Sequence, residues 1–491
     1  MVLHYFLINP QYDLHRDEYL HLDQANHLAW GYLSVPPLTS WIACLIKMLG
    51  NSVFWVKFFP ALFGGLTIAV VWKTIEELKG NLFALILGAI AVTFSAIMRI
   101  NILFQPNSFD ILAWTFLYFA VIKFINTANN KWLWMAALGF ALGFLNKYNI
   151  CFLLLGILPA LLLSSQRKIF ANRHFYLSMS LALIIILPNL IWQFQNGFPV
   201  LHHMEILRRT QLKNINRFDF LKEQALFFIG SIFIIIAAFI AFLSYAPFKK
   251  YRLFGWAYIF TLLIFIYFKA KPYYAIGLYP VLLAFGAVYL EQFFASGWKK
   301  YLRPVAILVP LLLFIPAIRL IFPILGPAEI LQKEKIFKAL GMLRWEDGKD
   351  HELPQDFADM LGWRELAEKV DHVYDSIGNN ANTIVLCDNY GEAGAINYYS
   401  KHRDINAVSY SADYINWFPL DKKEITTVIR VKEKQEVDKE PGNVKQFFET
   451  VILTGKIDNI FAREEGTGIF LFKAPKVSIN EVLKKEIAQN R

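Results

Sequence analysis

The chain has 491 residues, of which 56% are hydrophobic and 18% are charged, and its mean hydropathy is +0.39. A soluble protein carries about 25% charged residues, so this composition excludes an ordinary soluble enzyme and indicates a membrane protein. The net charge of +10 does not indicate a nucleic-acid partner, because much of the excess lies in short loops between apolar runs, where it sets orientation.

The N-terminal segment, residues 1–8, is too short for the apolar region of a cleavable signal or for a membrane span. We therefore expect either that the chain begins outside the membrane or that a first transmembrane helix is missing from this start. The cysteines Cys44, Cys151 and Cys387 are too scattered to indicate a metal site or a structural disulfide.

Apolar runs then follow one another along most of the chain. A bilayer core about 30 Å thick requires roughly 20 apolar residues per helix, and the pattern predicts about 10–12 transmembrane helices. The runs lie at residues 53–72, 81–98, 108–126, 132–146, 150–166, 175–194, 225–246, 253–270, 274–294 and 303–325. Residues 36–49 are shorter and amphipathic, and they predict a helix lying in the membrane interface.

Alternate loops between these runs are basic. They contain Lys73 and Lys79; Lys123 and Lys131; Arg167, Lys168 and Arg173; Lys249, Lys250 and Arg252; Lys299, Lys300 and Arg303. Because cationic loops stay in the cytoplasm, the intervening loops should face outward, including the long loop at residues 195–224. The same count places the chain after residue 325 outside.

The composition changes near residue 328. We expect residues 1–328 to form a multi-span membrane domain and residues 329–491 to form a small soluble α/β domain, since no spanning run follows. Short strands are predicted at Thr383–Cys387, Thr426–Val431 and Gly468–Phe472, and helices at Trp363–Ile377 and Val444–Val451. The fold class is therefore a polytopic α-helical membrane protein with a C-terminal extracytoplasmic α/β domain.

The first outer loop is acidic. Asp17 and Glu18 are adjacent carboxylates beside a basic neighbour, which suits a general base at a low-dielectric boundary. The alternative is a helix start whose acids oppose the helix dipole. Glu18 and His21 also have a spacing compatible with metal binding, and they are the candidate metal ligands.

The second outer loop ends at Asp110, where the chain enters the bilayer. A carboxylate there is costly and usually faces a cavity or a partner. The alternative is a structural helix start, with Asn107 or Ser108 as the cap and Asp110 in the first turn.

Several cations occur in outer loops, against the positive-inside bias. Lys147 lies between two spans, Lys271 precedes Tyr274, and Arg208 follows His202 and His203. A lysine at this depth can extend its charge to lipid phosphates. Several fixed cations near two acidic sites instead indicate a substrate with a phosphate and an abstractable proton.

These motifs together resemble the polyprenyl-phosphate-sugar-dependent glycosyltransferases of the C-type membrane fold. The chain is most similar to the bacterial family-39-like branch, related to protein O-mannosyltransferases and lipid A aminoarabinose transferases. The resembling residues are Arg16–Tyr19, His27–Tyr32 with Pro36 and Pro37, Asn107–Asp110, Asn146–Tyr148, Lys271–Tyr274 with Tyr279 and Pro280, and Asn389–Ala395.

The resemblance implies transfer of a sugar from a polyprenyl-phosphate carrier to an extracytoplasmic acceptor, with inversion. Asp17 matches the proposed base, beside Glu18, and Asp110 matches a second acidic residue. Lys147 matches the lysine that contacts the carrier phosphate. We add Lys271, Arg208 and Tyr274 as candidate phosphate ligands, and His202, His203 and Tyr148 as candidate sugar or acceptor contacts.

The implied partners are the lipid-linked donor, the bilayer of the bacterial inner membrane, and a glycolipid, polysaccharide or protein acceptor. The sequence identifies no cofactor with certainty, and the need for a divalent cation stays open because some relatives use one and others do not. Two other classes remain: a secondary transporter with an outward acidic and basic site, and a membrane scaffold that presents the outer domain.

Overall fold

The computed structural model describes residues 2–378 and 380–490. The chain divides into two compact units. The first contains Ala29–Thr39, Phe54–Phe322 and the N-terminal residues up to Leu7. The second contains Ile8–Leu28, Ser40–Val53 and the chain from Pro323 onward. The acidic first loop thus belongs to the same unit as the C-terminal segment, although the sequence analysis grouped it with the spans.

The first unit is helical. Its α-helices, after a short one at Val2–Tyr5, are Val53–Glu77, Leu82–Thr93, Ala96–Ile100, Pro106–Thr127, Lys131–Asn146, Ile150–Leu162, Arg173–Gln195, Pro199–Thr210, Arg217–Phe227, Ile232–Ser244, Arg252–Tyr267, Tyr279–Phe293 and Arg303–Ile321. Turns of 3₁₀ helix join them at Ser165–Ala171, Leu212–Asn214, Ala246–Tyr251, Pro272–Leu278 and Gly297–Leu302. Each predicted run overlaps at least one of these helices.

Among the described residues, five helices are long and apolar enough to cross a membrane. They are Val53–Glu77, Pro106–Thr127, Arg173–Gln195, Pro272–Phe293 and Gly297–Ile321. Two bent pairs raise the number to seven if each is one span. This is fewer than the predicted 10–12, because apolar helices such as Lys131–Asn146 have only 16 residues, about 24 Å at the usual rise.

Small residues allow these helices to pack closely. A Cβ atom added to Gly286 would lie 1.9 Å from the carbonyl oxygen of Ile234, and one added to Gly156 would lie 2.0 Å from Thr261 Oγ1. Glycine at such crossings lets two helix backbones approach closely. In a bilayer the hydrophobic effect does not drive helices together, so this close packing supplies much of their association energy.

The second unit contains a mixed five-stranded sheet. Its strands are β1 (Thr383–Cys387), β2 (Ala407–Ser409), β3 (Thr427–Lys432), β4 (Phe448–Lys456) and β5 (Gly468–Pro475), in the order β2-β1-β3-β5-β4. The strand β1 lies between β2 and β3, is parallel to both and is wholly buried, and the pairs β3–β5 and β5–β4 are antiparallel. A continuous apolar strand is typical of a parallel sheet covered on both faces.

The helices of the second unit precede, connect and follow these strands along the chain. They are Arg16–Asp23, Leu38–Met48, Pro327–Leu331, Glu334–Ala339, Gln355–Ala358, Trp363–Asp375, Tyr390–Tyr399, Glu440–Val444 and Ile479–Asn490, with 3₁₀ turns at Gln24–Asn26 and Ala412–Asn416. The predicted interface helix is the amphipathic Leu38–Met48, whose Leu45 and Met48 side chains are exposed.

The predicted fold class, helical membrane protein with a small C-terminal sheet domain, is confirmed. The three predicted strands and the helix at residue 363 are present. The predicted helix Val444–Val451 is wrong, because a short helix ends at Val444 and Phe448–Lys456 is an edge strand. Thr450, Val451 and Ile452 are β-branched in this strand, and such residues favour pleated structure.

Candidate active site

Lys147 follows the helix Lys131–Asn146 and is held among neutral groups. Its Nζ donates a 2.7 Å hydrogen bond to Oδ1 of Asn107. The ammonium also lies 4.3 Å from the ring centroid of Tyr274 and 5.2 Å from that of Tyr273. An amide and two aromatic rings therefore hold the lysine side chain in place. None of these groups is negatively charged, so they do not neutralise the ammonium.

The neighbouring Asp110 is buried and hydrogen-bonded on both oxygens. Its Oδ1 accepts from Nε1 of Trp114 at 2.9 Å, and its Oδ2 accepts from Nδ2 of Asn149 at 2.9 Å. The same Asn149 amide donates to the carbonyl oxygen of Tyr274 at 3.0 Å. Asn149 therefore ties Asp110 to the segment that carries the two tyrosine rings.

The capping alternative for this region is wrong. The helix begins at Pro106 and places Gln105, which makes no side-chain cap bond, at the cap position. Ser108 Oγ donates to the carbonyl of Ile100, and Asn107 Nδ2 donates to Gln105 Oε1. Asp110 consequently lies beyond the first turn, where its partners are Trp114 and Asn149 instead of free backbone N–H groups.

Tyr148 faces a polar pair on the next long helix. Its hydroxyl donates to Oδ1 of Asn189 at 3.1 Å and accepts from Nε2 of Gln193 at 2.9 Å. Asn189 in turn donates to the carbonyl oxygen of Trp30 at 2.7 Å. This network extends the polar neighbourhood of Lys147 toward the segment Ala29–Thr39.

The remaining predicted cations of the first unit divide into two groups. In the first group, burial together with Lys271 and His202 holds the pKa of His203 below its ordinary value. Arg208 is exposed and forms a double contact with Glu205, at 2.7 and 2.8 Å. Its charge is thus engaged within its own helix turn.

In the second unit, the acidic loop forms the helix Arg16–Asp23. His15 is its cap, and the Glu18 carboxylate accepts from the His15 backbone N–H at 2.7 Å, closing a capping box. Glu18 is fully buried, so this carboxylate has a structural role at the helix start. The capping interpretation thus applies to Glu18.

Asp17 differs from its neighbour, because it is partly exposed and receives a hydrogen bond from a distant segment. Tyr390 donates its hydroxyl proton to Oδ1 of Asp17 at 2.7 Å. Burial raises the pKa of the Asp17 carboxyl, but His15, the Tyr390 hydrogen bond, Arg16 and His21 outweigh it, and the pKa lies below its ordinary value. The group is therefore an ionised carboxylate at neutral pH.

The candidate metal ligands do not converge. His21 Nδ1 lies 3.2 Å from Gln24 Oε1, and burial lowers the pKa of its imidazole. Within residues 2–378 and 380–490, no group of three or more His, Cys, Asp or Glu side chains could hold a metal ion. Glu18 and His21 are therefore not identified as metal ligands.

Sequence reasoning missed Trp114, Asn189 and Gln193. The two amides were detectable, since polar side chains one turn apart inside an apolar helix usually face a partner. Trp114 lies four residues after Asp110 on the same helix face, but its indole is indistinguishable in the sequence from those of other membrane tryptophans.

The fold is similar to that of the ArnT crystal structures, and the predicted resemblance to proteins of the C-type membrane fold is confirmed. Residues 34–192 match the family described as dolichyl-phosphate-mannose-protein mannosyltransferase. That range includes Asp110 and Lys147, whereas Asp17 precedes it.

Individual relatives are similar over different extents. The lipid A galacturonosyltransferase RgtD of Rhizobium johnstonii is 25% identical over 206 residues, which cover 40% of this chain and 43% of that protein. The chain thus matches less than half of that relative's length. Crystal structures of ArnT from Cupriavidus metallidurans, bound to undecaprenyl phosphate and in the apo state, give TM-scores of 0.63 and 0.62 at 12% identity, covering 96% of both chains.

Proposed function

We propose that this protein is a multi-pass inner-membrane glycosyltransferase that moves a sugar from a polyprenyl-phosphate carrier to an extracytoplasmic acceptor. The fold, which it shares with ArnT, favours this class over the secondary transporter and the scaffold. The outward position of the site is supported by the basic loops that alternate with the loops bearing Asp17, Asp110 and Lys147.

The observation that carries the proposal is the environment of Lys147. Its ammonium is held by Asn107 and two tyrosine rings, while the nearby Asp110 carboxylate is bonded to Trp114 and Asn149. A fixed cation with neutral contacts attracts an anion without first breaking an ion pair. A carrier phosphate is such an anion, and Lys271 is a second candidate ligand for it.

An apolar groove in the same unit supports a lipid carrier. It has a volume of about 450 Å³ and lies among the helices Pro106–Thr127, Lys131–Asn146, Ile150–Leu162 and Arg173–Gln195. A row of aromatic rings begins at Phe140, which lines the groove. The ring centroids of Phe140 and Phe144 are 6.2 Å apart, and those of Phe144 and Tyr148 are 5.0 Å apart. The row ends beside Lys147, so a prenyl chain in the groove would have its phosphate end near the lysine.

Asp17 is the proposed proton acceptor. It is ionised and partly exposed, whereas Glu18 is buried in the capping box and is not suited to reach a substrate. As the acceptor oxygen bonds to the anomeric carbon, its proton passes to Asp17. The bond from that carbon to the carrier phosphate oxygen breaks, and the oxygen keeps the electron pair under stabilisation by Lys147. One displacement inverts the anomeric configuration.

Among acceptors, we favour a glycolipid, because the curated relative is named a lipid A galacturonosyltransferase. His202, His203 and Tyr148 remain candidate contacts for the sugar or acceptor. Arg208 is a weaker candidate for the phosphate, since Glu205 already engages it.

The test is transfer by the purified full-length protein in proteoliposomes, with a panel of polyprenyl-phosphate sugars. Glycolipid, polysaccharide and protein acceptors are supplied separately, and products are identified by mass spectrometry. We expect one donor to give a glycosylated acceptor with inverted configuration. Absence of transfer from the whole panel, together with counterflow of a solute, would support the transporter instead.

Lys147→Met provides the matched test of the phosphate site. A charge-assisted contact contributes about 1.5–3 kcal/mol, so binding of undecaprenyl phosphate should weaken by roughly 10- to 100-fold. Lys73→Met is the control, because Lys73 is exposed and pairs with Glu76. Unchanged binding by Lys147→Met would remove Lys147 from the phosphate site.

A further inference from the structure

We propose that Tyr390 is a positioning residue for Asp17, so that the C-terminal segment of the second unit completes the proton-accepting site. This inference rests on the proposed function, in which Asp17 takes the acceptor proton. The sequence analysis singled out Asn389–Ala395 as a recurring motif without a role, and the structure connects that motif to the acidic loop.

The central contact is the hydrogen bond from the Tyr390 hydroxyl to Asp17 Oδ1, 2.7 Å long. Both side chains are partly buried. Burial and the Asp17 carboxylate raise the pKa of the Tyr390 hydroxyl, which therefore remains a protonated donor. A donor on one carboxylate oxygen restricts rotation of the carboxylate, and such restriction maintains the orientation that proton transfer requires.

The Tyr390 ring is itself clamped by the acidic helix. The guanidinium carbon of Arg16 lies 4.4 Å from the ring centroid. A Cβ atom at Gly391 would lie 2.6 Å from Cγ and 3.0 Å from Nε of Arg16. Glycine at position 391 thus leaves the space in which the arginine stem reaches the tyrosine ring.

The backbone at Tyr390 is fixed by a second capping box. Asn389 Oδ1 accepts from the backbone N–H groups of Gly391 and Glu392, and Glu392 Oε2 accepts from the N–H groups of Asp388 and Asn389. Tyr390 is the first residue of the helix Tyr390–Tyr399. Its side chain therefore leaves from a rigid helix start, which is how a positioning group must be held.

The charged groups around Asp17 make the role testable by pH. His15, Arg16 and His21 lie on the acidic helix or its cap, and Tyr390 is contributed by the helix packed against it. A hydrogen bond to the ionised form favours that form. Removing the Tyr390 hydroxyl should therefore raise the pKa of Asp17, while His15, Arg16 and His21 remain common to all variants.

The experiment compares the full-length wild type, Tyr390→Phe and Tyr398→Phe in the transfer assay across pH 4–9. Tyr398 is the matched control, since it lies in the same helix and its hydroxyl donates to the Asn51 carbonyl at 2.7 Å. For Tyr390→Phe we expect kcat to fall by roughly 10- to 100-fold, KM to change little, and the acid limb of kcat/KM to move to higher pH. Tyr398→Phe should keep the wild-type profile.

Replacement of Tyr390 by 3-fluorotyrosine keeps the ring and provides a stronger donor, so it also covers the case in which Tyr390→Phe fails to fold. It should restore most of kcat and move the acid limb to lower pH, opposite to phenylalanine. A fluorotyrosine profile identical to that of wild type would overturn the inference, as would a wild-type profile for a folded Tyr390→Phe.

Asp17→Asn is measured in parallel to separate the two proposals. If Asp17→Asn is inactive while Tyr390→Phe keeps the wild-type profile, the base assignment stands and the positioning role is rejected. If Asp17→Asn retains turnover, the base assignment fails and takes the positioning role with it. If both proposals hold, the double variant that combines Asp17→Asn with Tyr390→Phe should be no less active than Asp17→Asn alone.

Discussion

The ammonium of Lys147 and the side-chain carbonyl of Asn107 form a 2.7 Å hydrogen bond within the first unit. An amide fixes the lysine and leaves its charge available, whereas a carboxylate at position 107 would pair with it. The residue type at position 107 therefore sets the charge that an anionic ligand meets.

Asn107→Asp should weaken use of the lipid-linked donor. The new carboxylate would neutralise Lys147 and repel the phosphate, since two charges a few ångströms apart interact strongly near a low-dielectric boundary. We expect KM for the donor to rise about tenfold or more. Asn107→Ala is the control, because it loses the hydrogen bond without adding charge and should raise KM less. Equal effects of the two variants would contradict the electrostatic explanation.

Trp114→Phe should destabilise the first unit. The variant leaves the buried Asp110 Oδ1 without its donor, and an unsatisfied buried acceptor costs about 1–3 kcal/mol. We expect a lower Tm for the detergent-solubilised protein, measured by a thermal scan. The control is Trp72→Phe, whose indole donates to Glu76 on the surface and should have little effect. Equal Tm values for both variants would show that the Asp110 bond is dispensable.

Glu392→Gln should stabilise the second unit at neutral and alkaline pH. Burial, together with Glu464 and Asp388, raises the pKa of Glu392 in the folded protein. A carboxyl group whose pKa is higher in the folded protein than in the unfolded chain stabilises the fold at pH values below its pKa in the unfolded chain. This contribution to stability is lost as the pH rises. Glutamine keeps an oxygen for the two backbone N–H groups and does not ionise.

The measurement for Glu392→Gln is Tm between pH 5 and pH 8.5. The gain over wild type should grow with pH, because ionisation of the buried carboxyl becomes increasingly costly. Glu436→Gln is the control, since Glu436 pairs with Lys439 at an exposed position. A gain that is constant with pH would contradict the titration argument.

Gly391→Ala should lower both stability and turnover. The added Cβ would occupy the space of the Arg16 stem, and overpacking typically costs about 1–3 kcal/mol. Displacement of Arg16 from the Tyr390 ring should reduce kcat severalfold in the transfer assay. Gly442→Ala is the control, since a Cβ there would have no neighbour within 4 Å. Wild-type turnover in Gly391→Ala would show that the Arg16 stack is not needed.

The sequence predicted where the apolar helices lie, because an apolar run is a direct physical requirement of a bilayer. It overestimated the number of spans, because several runs form helices shorter than a span. It also predicted β1 with its observed bounds, Thr383–Cys387, since a short apolar run is typical of a buried parallel strand. The edge strand Phe448–Lys456 was missed because its solvent-facing residues hide the pattern.

The sequence predicted which residues belong to the candidate site, but it did not predict which side chains contact one another. Arg208 and Glu205 are three residues apart on one helix, so their pairing was readable from spacing alone. The contacts of Asp110 with Asn149 and of Asp17 with Tyr390 join distant segments. Tertiary packing decides such contacts, and a single sequence carries no local signal for them.

The hydrogen bond between Asp17 and Tyr390 spans 373 positions of the chain, and this separation affects the order of assembly. Domains form as the ribosome delivers them, at about 5–20 residues per second, so Asp17 is synthesised roughly 20–75 seconds before Tyr390. During that interval the acidic helix lacks its Tyr390 partner. Asp17 thus acquires its final environment only after the segment that carries Tyr390 has been synthesised.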